Sequence, residues 1–78
     1  MTCTIYSRDG CPYCVKIQQV LQLAKLDYKV YKLGENFSRD EFYEKFGHGS
    51  TFPRVVLGEE LLGGCSETVN YLREQKLV

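Results

Sequence analysis

Thr2-Cys3-Thr4-Ile5-Tyr6-Ser7, then Arg8-Asp9-Gly10, then Cys11-Pro12-Tyr13-Cys14: a run of β-favouring residues meets a turn cluster, and two thiols stand where a helix begins. Cys11 falls at the expected N-cap. Pro12 falls at the first helical position, where its missing N–H costs nothing and its fixed φ suits the helix. Beyond it Ile17, Val20, Leu21 and Ala24 recur at helical spacing and predict one apolar face on a helix from Pro12 to about Lys25. The first N–H groups of a helix are unpaired, and with the aligned peptide dipoles they favour negative charge. Thiols placed this way in Cys-x-x-Cys pairs have their pKa lowered from about 8.5 to roughly 3.5–7.5, so a nucleophilic thiolate exists at neutral pH.

Working outward, Tyr28 to Leu33 alternates aromatic or aliphatic residues with lysines and stops at Gly34, which predicts a second strand. Strand, helix, strand implies a right-handed parallel unit. Ser38 with Glu41 three residues later forms a capping box, Phe42 and Phe46 share a face, and Gly47 ends that second helix. His48 to Pro53 reads as a loop, Val55 to Leu57 as a strand, and Gly58-Glu59 as the turn into Leu61-Leu62. After Gly63-Gly64, Ser66 is the expected cap of a closing helix that carries Val69 and Leu72, with Glu67 and Lys76 near its ends. The order βαβαββα gives an α/β fold, a mixed four-stranded sheet flanked by three helices, in a single domain over residues 1–78.

Seventy-eight residues bury only about 60 % of their unfolded surface. Ten basic and ten acidic side chains cancel, so bulk charge offers no attraction to nucleic acid or an anionic membrane. Met1 to Tyr6 lacks a charged leader and a signal-length apolar run, and no stretch approaches the roughly 20 apolar residues that span a bilayer, which reads as cytoplasmic. In a reducing compartment a close cysteine pair is catalytic or metal-binding rather than a structural framework. Closed zinc sites use four ligands, typically two spaced pairs, and Cys3, Cys65 and His48 supply no second pair, so no metal is expected.

With Cys-Pro-Tyr-Cys after the first strand, Thr51-Phe52-Pro53 before the third and Gly63-Gly64-Cys65-Ser66-Glu67 at the last helix, the chain resembles a dithiol glutaredoxin along essentially its whole length. The resemblance implies the thioredoxin-like fold and glutathione-dependent reduction of protein disulfides and glutathione mixed disulfides. Cys11, the more exposed thiolate, would attack and Cys14 would resolve, with glutathione as the reducing co-substrate. It further implies a cis Pro53 facing the cysteine pair, with Thr51 and Pro53 framing Phe52, whose backbone pairs with that of glutathione. The N–H groups of Cys65 and Ser66, beside Gly64, would receive the γ-glutamyl carboxylate. Glu67 replaces an aspartate that meets the γ-glutamyl ammonium, and its side chain is one methylene longer. Arg8 replaces a lysine that pairs with the glycyl carboxylate, and Tyr13 would pack along the ligand. Implied partners are glutathionylated or disulfide-containing proteins, ribonucleotide reductase among them, for a monomeric enzyme.

Two other readings share these motifs. One is a redoxin of the same body reduced by a thioredoxin reductase; Arg8, Tyr13 and the Gly63–Glu67 segment speak against it, because together they resemble a complete glutathione pocket. The other is a module in which Cys11 and glutathione from two chains ligate an iron–sulfur cluster, which Cys14 and Pro12 disfavour. Among the remaining residues Cys3 reads as core, Cys65 as packing beside the glutathione pocket, and His48 as uninvolved. Lys16 reads as solvated, and Arg39 is a further basic candidate on the second helix.

Overall fold

The computed structural model of the chain describes residues 2–77. Strand β1 (Thr2–Ser7) leads into helix α1 (Pro12–Leu23) and strand β2 (Asp27–Lys32); helix α2 (Arg39–Phe46), strands β3 (Arg54–Leu57) and β4 (Glu60–Gly63) and helix α3 (Cys65–Glu74) follow. The βαβαββα order is the expected one. The sheet runs β2-β1-β3-β4, with β1 parallel to β2 and antiparallel to β3, and β3 antiparallel to β4.

Alternation along the central strands divides the interior in two. Cys3, Ile5, Val55 and Leu57 project to one face, where they meet Ile17 and Leu21 of α1 and Leu72 of α3 in one core. Tyr6 projects to the other, where its ring lies 5.0 Å from Phe46, 5.3 Å from Phe37 and 5.6 Å from Tyr31, centroid to centroid. Helix α2 is fastened over this second face by its aromatic side chains. Its start carries the expected capping box: Glu41 N–H donates to Ser38 Oγ at 3.1 Å and Ser38 N–H to Glu41 Oε1 at 3.0 Å.

Three boundaries differ from expectation. Helix α1 stops at Leu23, with Ala24 as its C-cap and Lys25 left-handed at φ 57°; Leu26 N–H then bonds Leu21 O at 3.1 Å and turns the chain so that Asp27 pairs with Thr2. Strand β2 consequently begins at Asp27, and Leu33 forms only an isolated bridge to Phe37. Ser66 does not cap α3. The cap is Gly64, whose extended backbone (φ −86°, ψ −163°) leads straight out of β4, and Ser66 sits inside the first turn. The cation in the last turn is Arg73, while Lys76 lies beyond the helix.

The two faces of α1 predict opposite responses to truncation. Leu21 is fully buried, so Leu21→Ala should cost roughly 2–5 kcal/mol in urea unfolding. Leu23, which is 78 % exposed, should change stability by less than about 0.5 kcal/mol on the same substitution.

Candidate functional site

The turn after β1 is built to deliver a thiol to a helix start. Gly10 adopts φ 71°, a conformation open to glycine at little cost, and Cys11 follows in extended backbone (φ −104°, ψ 100°) as the N-cap. Cys14 N–H donates to Cys11 Sγ at 3.1 Å, so the sulfur takes the place usually held by a serine or aspartate oxygen at an N-cap. Cys11 and Cys14 are joined as a disulfide. Cys11 is the more exposed of the two, as expected, but by little: 6 % against 2 %, so both sulfurs are sheltered in the oxidised state.

Beside the pair lies a cavity of about 210 Å³. Tyr13, Thr51, Phe52 and Pro53 line one part of it; Gly64, Cys65, Ser66 and Glu67 line another. Eight of the expected ligand residues thus meet in one place although they come from α1, the loop before β3 and the start of α3. The Phe52–Pro53 bond is cis, as the resemblance implied. Among the described residues no backbone hydrogen bond reaches Thr51, Phe52 or Pro53, which leaves the N–H and C=O of Phe52 open to pair with an extended peptide-like ligand. At the opposite wall Thr68 Oγ1 donates to Gly64 O at 2.8 Å and steadies the first turn of α3. The first N–H groups of α3 have no side-chain cap and can accept an anion. Glu67 folds back over the glycines: a Cβ on Gly63 would lie 3.0 Å from Glu67 Cβ, and one on Gly64 3.3 Å from Glu67 Oε2. The glycine pair is therefore what lets this carboxylate lie against the cavity floor.

Arg8 stands apart from this group. It lines a neighbouring cavity of about 390 Å³ together with Arg39, Tyr43 and Ser50, and its Nη1 donates to Asp9 O at 3.1 Å. Thr51 and Phe52 wall both cavities, so the two guanidinium-bearing residues extend the site on the far side of the loop. Sequence reasoning missed Arg54, which also lines the first cavity and whose Nε is buried with no hydrogen-bond partner. Its only signal was adjacency to Pro53, masked by its place in a strand.

The two remaining thiols are buried. Burial pushes the Cys3 thiol above its ordinary range. Burial also pushes the Cys65 thiol up; Lys16 opposes this and Glu67 adds to it. A raised thiol pKa means a smaller thiolate fraction at any given pH, and alkylation needs the thiolate. In the reduced protein at pH 7, iodoacetamide should therefore modify Cys11 well before Cys3 or Cys65, and those two should react only as pH climbs above the range of an ordinary thiol, read by mass spectrometry of quenched samples.

Known proteins are similar to this chain in sequence and in fold. The glutaredoxin family model matches residues 3–62. A glutaredoxin of Pseudomonas aeruginosa is 34 % identical over 74 residues, covering 94 % of this chain and 87 % of that protein. Glutaredoxin 1 of Rickettsia prowazekii is 30 % identical over 79 residues, covering 97 % and 82 %. Among solved structures, the dithiolic glutaredoxin 2-C-Grx1 of Trypanosoma brucei brucei superposes with a TM-score of 0.77 at 29 % identity, covering 96 % of this chain and 80 % of that one. The chain belongs to the glutaredoxin family, thiol–disulfide oxidoreductases of the thioredoxin-like fold.

Proposed function

We propose that this glutaredoxin draws its electrons from glutathione and reduces protein disulfides and glutathione mixed disulfides, with Cys11 as nucleophile and Cys14 as resolving thiol. The observation that carries the reading is the joining of the Cys11–Cys14 disulfide, through Tyr13, to a cavity walled by the open Phe52 backbone and the uncapped start of α3. A γ-glutamyl tripeptide matches those features group by group. Its extended backbone pairs with Phe52, flanked by Thr51 and Pro53, and its α-carboxylate sits on the N–H groups of Cys65 and Ser66 beside Gly64. Its ammonium meets Glu67, its glycyl carboxylate faces Arg8, and Tyr13 covers it. Arg39, beside Arg8, is a second candidate for the glycyl end.

The chemistry follows from the thiolate at the helix start. Cys11 thiolate attacks one sulfur of a substrate disulfide, forms a mixed disulfide and expels the other sulfur as thiolate. Cys14 then attacks Cys11, the second substrate thiolate leaves, and the substrate has gained two electrons. Regeneration runs in the opposite sense: a glutathione thiolate opens the Cys11–Cys14 bond at Cys11, and a second glutathione attacks the sulfur of the bound one, leaving as glutathione disulfide and freeing Cys11. A glutathionylated protein needs only Cys11, which takes the glutathionyl group and yields it to a second glutathione.

The same reading makes the protein a monomeric, single-domain cytoplasmic reductant, with the disulfide of ribonucleotide reductase among its targets. Within the described residues no helix is long and apolar enough to cross a membrane. Turnover of a glutathionylated peptide, with glutathione and glutathione reductase as sole electron source, should persist in Cys14→Ser and vanish in Cys11→Ser. A wild type that is inert with glutathione yet reduced by a thioredoxin reductase would overturn the proposal, and a brown chromophore in freshly purified protein would point instead to cluster binding.

A further inference from the structure

Phe52 belongs to two groups of atoms at once. Its backbone is part of the loop that walls the cavity beside the disulfide, whereas its ring is stacked on Phe42 of α2, with centroids 4.3 Å apart and planes at 17°. Phe42 is 1 % exposed. Its own ring is held from the other sides by Phe46 at 5.0 Å, Phe37 at 5.7 Å and Tyr6 at 6.4 Å. The Phe52 ring also stacks on Phe37, more distantly, at 6.2 Å with planes at 25°, while the backbone around Phe52 has few ties of its own. Ser50 is tied to the end of α2 by its N–H to Gly47 O at 3.3 Å and its Oγ to Phe46 O at 2.8 Å, and β3 begins at Arg54. Between these points no backbone hydrogen bond reaches Thr51, Phe52 or Pro53 among the described residues.

We propose that Phe42 is a positioning residue for glutathione binding. Its ring holds the Phe52 ring and so fixes, in the free protein, the Phe52 N–H and C=O that pair with the ligand backbone. A loop without its own hydrogen bonds loses conformational freedom when a ligand orders it. A side-chain stack that orders the loop beforehand removes part of that cost from binding, which is preorganisation. The inference rests on the glutathione reading above and adds to it a residue of α2 that lines neither of the two cavities flanking the Thr51–Phe52 loop.

The test compares Phe42→Leu with Phe46→Leu. Both remove a ring of the cluster, but Phe46 contacts Phe42 and Tyr6 and makes no stack with Phe52. Phe42→Leu should raise KM for a glutathionylated peptide by about 2- to 10-fold, the equivalent of one lost aromatic stack, with kcat within about twofold. Phe46→Leu should leave KM at the wild-type value, and Phe42→Tyr should retain it. Thermal melts identify any variant that is not folded at the assay temperature; should Phe42→Leu be one, Phe52→Leu removes the other ring of the stack and should raise KM in the same range. Equal KM in the Phe42 and Phe46 leucine variants, or a fall in kcat common to both, would overturn the inference while leaving the glutathione reading intact. A wild type with no glutathione-driven turnover would remove that reading and this inference with it.

Discussion

The unpaired N–H groups at the start of α1 are the constraint around which this molecule is arranged. A helix must satisfy them, and here a sulfur does so: Cys14 N–H points at Cys11 Sγ. The hydrogen bond that closes the helix end therefore falls on the sulfur of Cys11. Gly10 and Pro12 serve it from either side, one by turning the chain out of β1 and the other by starting the helix. Cys65 shows that a helix start alone does not suffice. It is the first residue of α3, yet its cap position is held by Gly64, no side chain caps that end, and burial drives its thiol in the opposite direction. Cys11 and Cys65 thus differ by one residue of register against their helix ends.

The sheet supplies the second requirement, a cavity next to Tyr13 of the cysteine pair's segment. Because β3 lies beside β1, the loop entering β3 ends up next to the turn leaving β1, and the Thr51–Pro53 segment comes to the cysteine pair. Because β4 returns antiparallel and passes directly into α3 through Gly63-Gly64, the start of α3 completes the cavity. Both helix starts thus open toward one site. The large core under α1 and α3 holds these pieces rigid, while the aromatic cluster under α2 holds the loop between them.

Much of this was legible in local sequence because the relevant signals are local. Cys11 as cap, Pro12 after it, the Ser38–Glu41 box and the Gly58-Glu59 turn all depend on neighbours within four residues, and all appear as read. Failures arose where a tertiary demand outranked a local preference. Ser66 is the better cap by residue type, but β4 runs on to Gly63 and the helix must start as soon as the chain leaves it. Helix α1 stops short of Lys25 because the chain has to turn back for Asp27 to reach Thr2. The stacking of Phe52 on Phe42 and the place of Arg54 at the cavity join residues whose proximity no periodicity encodes. Arg8 lies in the turn before Cys11, yet it lines the cavity on the other side of the Thr51–Phe52 loop from Tyr13 and Glu67, a separation visible only in three dimensions.

The central claim is that the start of α1 makes Cys11 a thiolate at neutral pH. It is tested most directly by following thiolate absorbance near 240 nm against pH in reduced Cys14→Ser protein, with the Cys11→Ser, Cys14→Ser double variant subtracted to remove Cys3 and Cys65. A Cys11 midpoint within roughly 3.5–7.5 is the result this account predicts, and a midpoint at or above the free-cysteine value of about 8.5 would contradict it.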